Sequence, residues 1–229
     1  DGMIFGGQNP GGQLATTNEY NGNGFSAGGN LVTARNNLGG AGTVPAGLAF
    51  GGRTSPTAFR NESEEYDGSS WSEGNNLNSG RSYLAGCGLQ TAGLAFGGTP
   101  TTGNTELYNG TSWTEVNNLN TGREALAGAG IQTAALGFGG NGVSNKTEQF
   151  DGTSWTNQAN MGVARQKLSA SISGSTTAAG AFGGDTGSAT QVTEEFNVTT
   201  NTITGAAWAS GGNTNDRTGG RLNFGTQTA

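Results

Sequence analysis

Five arginines recur along the chain, at Arg35, Arg81, Arg123, Arg165 and Arg217, and they are half of its 10 basic residues. Guanidinium groups repeated in this way could ring an axial opening and hold an anion or a sugar acid. The competing expectation is structural. A buried arginine has to be paired, and carboxylates stand downstream to do it, with Glu65, Glu106, Glu148 and Glu195 as the expected partners. A second group of residues does not repeat. The stretch Arg53-Thr54-Ser55-Pro56-Thr57-Ala58-Phe59-Arg60 carries two arginines, a proline and an aromatic expected at the surface. Arg53, Phe59 and Arg60 are therefore the candidate ligand contacts, against the plainer expectation of ordinary surface variation.

Catalysis has few residues to work with. The chain contains no histidine, which removes the commonest general base and metal ligand. Its one cysteine, Cys87, aligns with Ala129 and is expected to be a small core residue. The neighbouring carboxylates Glu64-Glu65 and Glu194-Glu195 fall on expected strands, where adjacent side chains point to opposite faces. No Phe-Gly-Gly copy leads into a lysine-bearing helix, so none is a phosphate loop. The expectation is no enzyme, with no catalytic residues, no metal ligands and no cofactor. A net charge of −6 argues against nucleic acid as a partner. No apolar run approaches the roughly 18 residues of a membrane helix, and membrane insertion is not expected.

The elements that must position these residues follow from one repeated stretch, an apolar run ending in Phe-Gly-Gly. Its phenylalanines are Phe5, Phe50, Phe96, Phe138 and Phe182, a spacing of about 42–46 residues. A period of this size marks a repeat architecture. After each copy comes a polar stretch of uneven length, then a short strand ending in Tyr20, Tyr66, Tyr108, Phe150 or Phe196. Asn21-Gly22, Asp67-Gly68, Asn109-Gly110 and Asp151-Gly152 then predict two-residue hairpin turns. A further aromatic follows at Phe25, Trp71, Trp113 and Trp155, with Ile203 expected in that place in the fifth copy. Each repeat arginine opens a strand of small residues, such as Leu84-Ala85-Gly86-Cys87-Gly88.

One unit is thus four short strands, and four-stranded units at this period are propeller blades. The small-residue strand is expected innermost, where blades crowd. The aromatics are expected between blades further out, as packing rather than as ligand platforms. The fold class is all-β, a five-bladed β-propeller in one domain. Blade 1 spans residues 1–30 plus a closing strand at 213–229. Blade 2 spans 31–74, blade 3 75–116, blade 4 117–158 and blade 5 159–212. The N- and C-terminal strands are expected to share the closing blade. A start at Asp1 without an initiator Met fits a processed product or a piece of a longer protein.

Paired glycine, then Tyr, then Trp, repeated in register, resembles the kelch family of β-propellers over essentially the whole chain. Asn120-Thr121-Gly122-Arg123 with its lead-in and Tyr108-Asn109-Gly110-Thr111-Ser112-Trp113 also look like the kelch-like repeats in tail-fibre and other virion proteins of marine bacteriophages. The resemblance implies a structural or adhesion module, virion-borne or extracellular, with a host surface glycan or a neighbouring virion protein as partner. It is also compatible with a larger homo-oligomeric assembly. The expected contact surface is the set of loops after each Phe-Gly-Gly, at 8–16, 53–62, 99–104, 141–146 and 185–192, because variable loops on a rigid scaffold carry binding. The alternative is a soluble lectin with a weak carbohydrate site in each blade.

Overall fold

A computed structural model describes residues 2–171, 174–197 and the backbone of the strand 207–210. The chain forms a five-bladed β-propeller, and no helix occurs among the described residues. Blade 2 runs Gly39–Thr43, Ala46–Phe50, Ser63–Tyr66, Trp71–Glu73 from the axis to the outer edge. Blade 3 runs Ala85–Leu89, Ala92–Phe96, Thr105–Tyr108, Trp113–Val116. Blade 4 repeats this with Ala127–Ile131, Ala134–Phe138, Thr147–Phe150 and Trp155–Gln158. Blade 5 has Ser169–Ala170, Ala178–Phe182, Thr193–Asn197 and Ala207–Ser210. Blade 1 shows Gly2–Phe5, Thr17–Tyr20 and Phe25–Gly28. The expected closing strand at 213–229, with Arg217, lies outside the described residues.

The first strands are Gly- and Ala-rich because their backbones converge. A methyl group on Gly86 would come within 2.9 Å of the Gly40 carbonyl oxygen in the preceding blade, and one on Gly128 within 3.1 Å of the Gly86 oxygen. Further out the blades diverge, and large side chains fill the widening gaps. The apolar core is accordingly a series of inter-blade layers. One gathers Ala41, Leu48 and Phe50 of blade 2 with Leu84, Tyr108 and Trp113 of blade 3. In each layer the tryptophan meets the Phe-Gly-Gly phenylalanine of the blade before it, at 5.0 Å for Phe5–Trp71, 5.0 Å for Phe50–Trp113 and 4.8 Å for Phe96–Trp155. Its indole N–H donates to a hydroxyl of that same blade, from Trp71 to Thr17, Trp113 to Ser63 and Trp155 to Thr105. A buried indole needs such a partner, so the series fixes the depth at which neighbouring blades dock.

Two local expectations are corrected. The hairpin turns have four residues, not two. Tyr66 pairs with Trp71, and Asp67, Gly68, Ser69 and Ser70 connect them. The Asp67 carboxylate accepts the amides of Ser69 and Ser70, each at 2.8 Å. Asn21, Asn109 and Asp151 do the same in their blades. A side chain that satisfies two turn amides makes the longer loop stable without positive φ at the first residue. Only the glycine takes it, at 94° for Gly68. In the fifth copy the aromatic place falls to Trp208, which register sets opposite Phe196, as Trp155 stands opposite Phe150. The assignment to Ile203 assumed too short a connection, and Ile203 itself lies outside the described residues.

Candidate binding rim at the axial mouth

The four described repeat arginines are not open to the axis. Arg35 and Arg165 are 0 % exposed, Arg81 1 % and Arg123 2 %. Each pairs with a buried glutamate on the third strand of its own blade: Arg35 with Glu64 at 3.0 Å, Arg81 with Glu106 at 2.5 Å, Arg123 with Glu148, and Arg165 with Glu194 at 2.9 Å. The partners expected at Glu65 and Glu195 are thereby corrected to Glu64 and Glu194. The position that matters is two residues before the strand-ending aromatic, because strand alternation sends the next residue to the other side. Glu65 instead accepts the Tyr108 hydroxyl of the following blade at 2.5 Å.

The paired glutamates also receive backbone amides of the loop that enters each blade. Glu106 accepts from Asn78 at 2.8 Å, Glu64 from Val32 at 2.6 Å and Glu194 from Gly162 at 2.6 Å. Arg81 reaches the carbonyls of Gly97 at 2.9 Å and Asn104 at 2.7 Å. Burial pulls the pKa of Arg35, Arg81 and Arg165 down, and the paired carboxylate opposes it. A guanidinium stays charged through such a shift. These ion pairs tie the outer loop, third strand and first strand of each blade together.

The Phe-Gly-Gly stretch belongs to the same framework. Its second glycine donates to the backbone carbonyl of the next blade's arginine: Gly7 to Arg35 and Gly52 to Arg81 at 2.9 Å, Gly98 to Arg123 at 2.9 Å, Gly140 to Arg165 at 3.0 Å. Both glycines take positive φ in every copy. The motif is a clamp between blades as well as the exit from the second strand.

Immediately beyond these fixed residues the sequence stops repeating. The position after each arginine is Asn36, Ser82, Glu124 or Gln166, and the one after that is Asn37, Tyr83, Ala125 or Lys167. The position following Phe-Gly-Gly is Gln8, Arg53, Thr99, Asn141 or Asp185. The backbone joins these sets. Asn36 bridges Arg53, Ser82 bridges Thr99 and Gln166 bridges Asp185, and the Asn141 amide donates to Glu124 at 2.8 Å.

Asn37, Tyr83, Ala125 and Lys167 hold φ of 52° to 55°. They are linked head to tail across blades. Tyr83 donates its amide to the Asn37 carbonyl, Ala125 to Tyr83 and Lys167 to Ala125, each at 2.8 Å. The left-handed conformation costs a non-glycine residue about 1–2 kcal/mol. The inter-blade hydrogen bonds hold all four residues there, where the chain turns into the first strands beside the axis. The result is a rim of fixed backbone carrying different side chains in every blade.

The sequence-derived contact residues fall unevenly on this rim. Arg53 lies in it. Its Nε donates to Asn36 Oδ1 and its Nη2 to the Tyr83 hydroxyl, both at 3.3 Å, and its guanidinium carbon is 5.1 Å from the centre of the Tyr83 ring. Asn36 in turn donates to the side chain of Gln8. Residues of three blades therefore meet around one arginine. The expected loop is a small hairpin, Arg53–Ser55 against Ala58–Phe59. Phe59, expected at the surface, is half-buried, and Arg60 is paired with Glu62. Elsewhere on the rim the Thr99 hydroxyl donates to Glu124, and Lys167 lies 3.9 Å from Asp185.

Asn36, Asn37, Tyr83, Glu124 and Lys167 were not singled out as site residues by the sequence. The available signal was that two positions directly after an invariant-looking arginine change in every copy. Cys87 is fully buried, and burial pushes its thiol up to about 12. Among the described residues no cluster of acidic and cysteine side chains is placed to hold a metal ion.

Fold and rim together define the class: a β-propeller whose repeated framework frames a variable polar mouth, compatible with a binding or structural module. No protein-family model matches the chain, and no curated protein matches it.

Proposed function

We propose that this chain is a non-enzymatic adhesion or structural module of a virion, a phage tail-fibre or capsid-associated protein that presents its rim face to a host glycan or a neighbouring virion protein. One observation carries the reading. Framework residues recur blade after blade, while the rim positions they fix differ in each. Selection for folding alone leaves no reason to place Arg53, Tyr83, Glu124 and Lys167 on or beside backbone held by inter-blade hydrogen bonds. The kelch-like resemblance to phage virion repeats supports the virion setting, virion-borne or extracellular. Nucleic acid and membrane insertion fit poorly with a net charge of −6 and polar loops.

A soluble lectin with one weak site per blade would need equivalent residues in equivalent places. Asn37, Tyr83, Ala125 and Lys167 share no common chemistry, which favours a single composite site at this rim. The test has two arms. The parent reading frame is expected among tail or capsid genes, and a glycan array or purified virion proteins are expected to give selective binding that Arg53→Gln weakens. Genes of unrelated function around the reading frame, with no binding in either format, would overturn the proposal.

A further inference from the structure

We infer that the corner of the rim formed by Gln8, Asn36, Arg53 and Tyr83 binds the carboxylate-bearing ring of an acidic saccharide. This rests on the glycan-binding reading above and specifies its ligand. Among the described residues Arg53 is the one arginine with no carboxylate partner: Arg35, Arg81, Arg123 and Arg165 are paired inside the blades, and Arg60 is paired with Glu62. It is also held in place. Asn36 and Tyr83 take up Nε and one N–H of Nη2, which leaves Nη1 and the second Nη2 hydrogen to donate. That is the edge with which a guanidinium grips a carboxylate in bidentate fashion. Because the side chain is fixed before binding, little rotamer freedom remains to be lost.

The surroundings select a sugar over a bare anion. The Arg53 guanidinium lies over one face of the half-buried Tyr83 ring, so a pyranose held by Arg53 would set its C–H groups against the ring edge or its other face, next to the polar tip. Gln8 is exposed, and its carboxamide oxygen is engaged by Asn36, which leaves its amino group to donate to a hydroxyl. Across the mouth the charges are different. Glu124 is a carboxylate bonded to Thr99, and Lys167 is balanced by Asp185. One unpaired guanidinium at this corner, in a chain of net charge −6, suits a monocarboxylate and repels a polyanion.

The test is calorimetric or NMR titration of the intact chain with sodium glucuronate and N-acetylneuraminate as two sources of the same chemistry, and with glucose and acetate as controls. At least one acidic sugar is expected to bind, with glucose and acetate each about tenfold weaker or more. Arg53→Gln is expected to weaken the acidic sugar about ten- to a hundredfold with an unchanged melting temperature. Tyr83→Phe, which keeps the ring but removes the anchor of Nη2, is expected to weaken it several-fold. Glu115→Gln, on the exposed outer strand of blade 3 and away from the rim, is expected to leave it unaltered. If Arg53→Gln lowers the melting temperature, the Tyr83→Phe result decides.

Equal binding of acetate overturns the saccharide part, and unaltered binding by both variants overturns the site. Binding of neutral glycans at the rim with no acidic preference overturns this inference and leaves the proposed function standing. No saccharide binding of any kind overturns this inference and the glycan arm of the proposed function, and leaves its virion-protein arm standing.

Discussion

The amide of Gly98 donates to the backbone carbonyl of Arg123, in the following blade, at 2.9 Å. The glycine before it, Gly97, has φ of 68°, and a methyl group there would lie 2.5 Å from the same oxygen. Two blades are thus held together at a contact that no side chain can enter. The four described copies of this contact alternate around the ring with the four buried ion pairs, which act within blades. Interactions between blades and within them are carried by adjacent residues of one short motif.

Gly97→Ala should therefore destabilise the chain by about 2–4 kcal/mol, from the left-handed backbone and the overlap together. Gly22→Ala is the control. It shares positive φ, 95°, but faces open space, and should lose only about 1–2 kcal/mol. Urea denaturation of both variants checks this. Equal losses would mean that the inter-blade contact adds nothing to the demand for glycine.

The ion pairs make a second comparison. Glu106→Gln keeps the shape of the side chain but strands the buried Arg81 charge, and should lose about 3–5 kcal/mol. Glu62→Gln breaks the partly exposed pair with Arg60 and should change stability by less than about 1 kcal/mol. Thermal melts of the two variants against the parent chain measure the difference. A melting temperature for Glu106→Gln close to the parent would show that the buried pairs are dispensable.

High pH should act through the Tyr108 and Tyr66 hydroxyls. Burial first, and then the carboxylates of Glu65 and Glu19, raise both above the usual tyrosine value of 10.0. The folded state therefore holds these protons more tightly than the unfolded chain. The associated stability is complete below about pH 10 and is lost as pH rises through the folded-state values. Tyr108→Phe should lose about 1 kcal/mol at neutral pH and flatten the decline between about pH 10 and 12. Denaturation curves across that range test it, and an identical alkaline slope in the variant would refute the assignment. The acid side has the opposite sign. Amide hydrogen bonds from Ser70 and Ser69 hold Asp67 down to about 2, so its contribution persists above 3.8 and disappears as pH falls through about 2.

Much of this was readable in order along the chain. Phe5, Phe50, Phe96, Phe138 and Phe182 mark the period, and the aromatic at the end of each third strand marks the unit, so the all-β propeller and its five repeats follow from spacing. Packing of Trp71, Trp113 and Trp155 between blades follows from bulk and recurrence. The arginine partners were within reach too: counting back from Tyr66 and Phe196 aligns Glu64 and Glu194 with Glu106 and Glu148. Turn length was harder, since Asn-Gly and Asp-Gly suit two kinds of hairpin. The choice lay with side-chain acceptors such as Asp67, which satisfy two amides of the longer one.

Of the rim, sequence reading picked out Arg53 and the loops after Phe-Gly-Gly, and passed over the residues after each repeat arginine that meet them. Gln8, Asn36, Arg53 and Tyr83 are spread over 76 positions of the chain and three blades, and no local pattern links them. The sequence by itself determined the repeat, the strand order within a blade and which residues must be small, because those follow from periodicity and volume. Only the tertiary structure decided which arginines are spent inside the blades and that Arg53 is left to act at the rim. Closing a ring turns equivalent positions in separate repeats into neighbours around one axis, and there Arg53 meets Tyr83 while the four described repeat arginines stay buried with their glutamates.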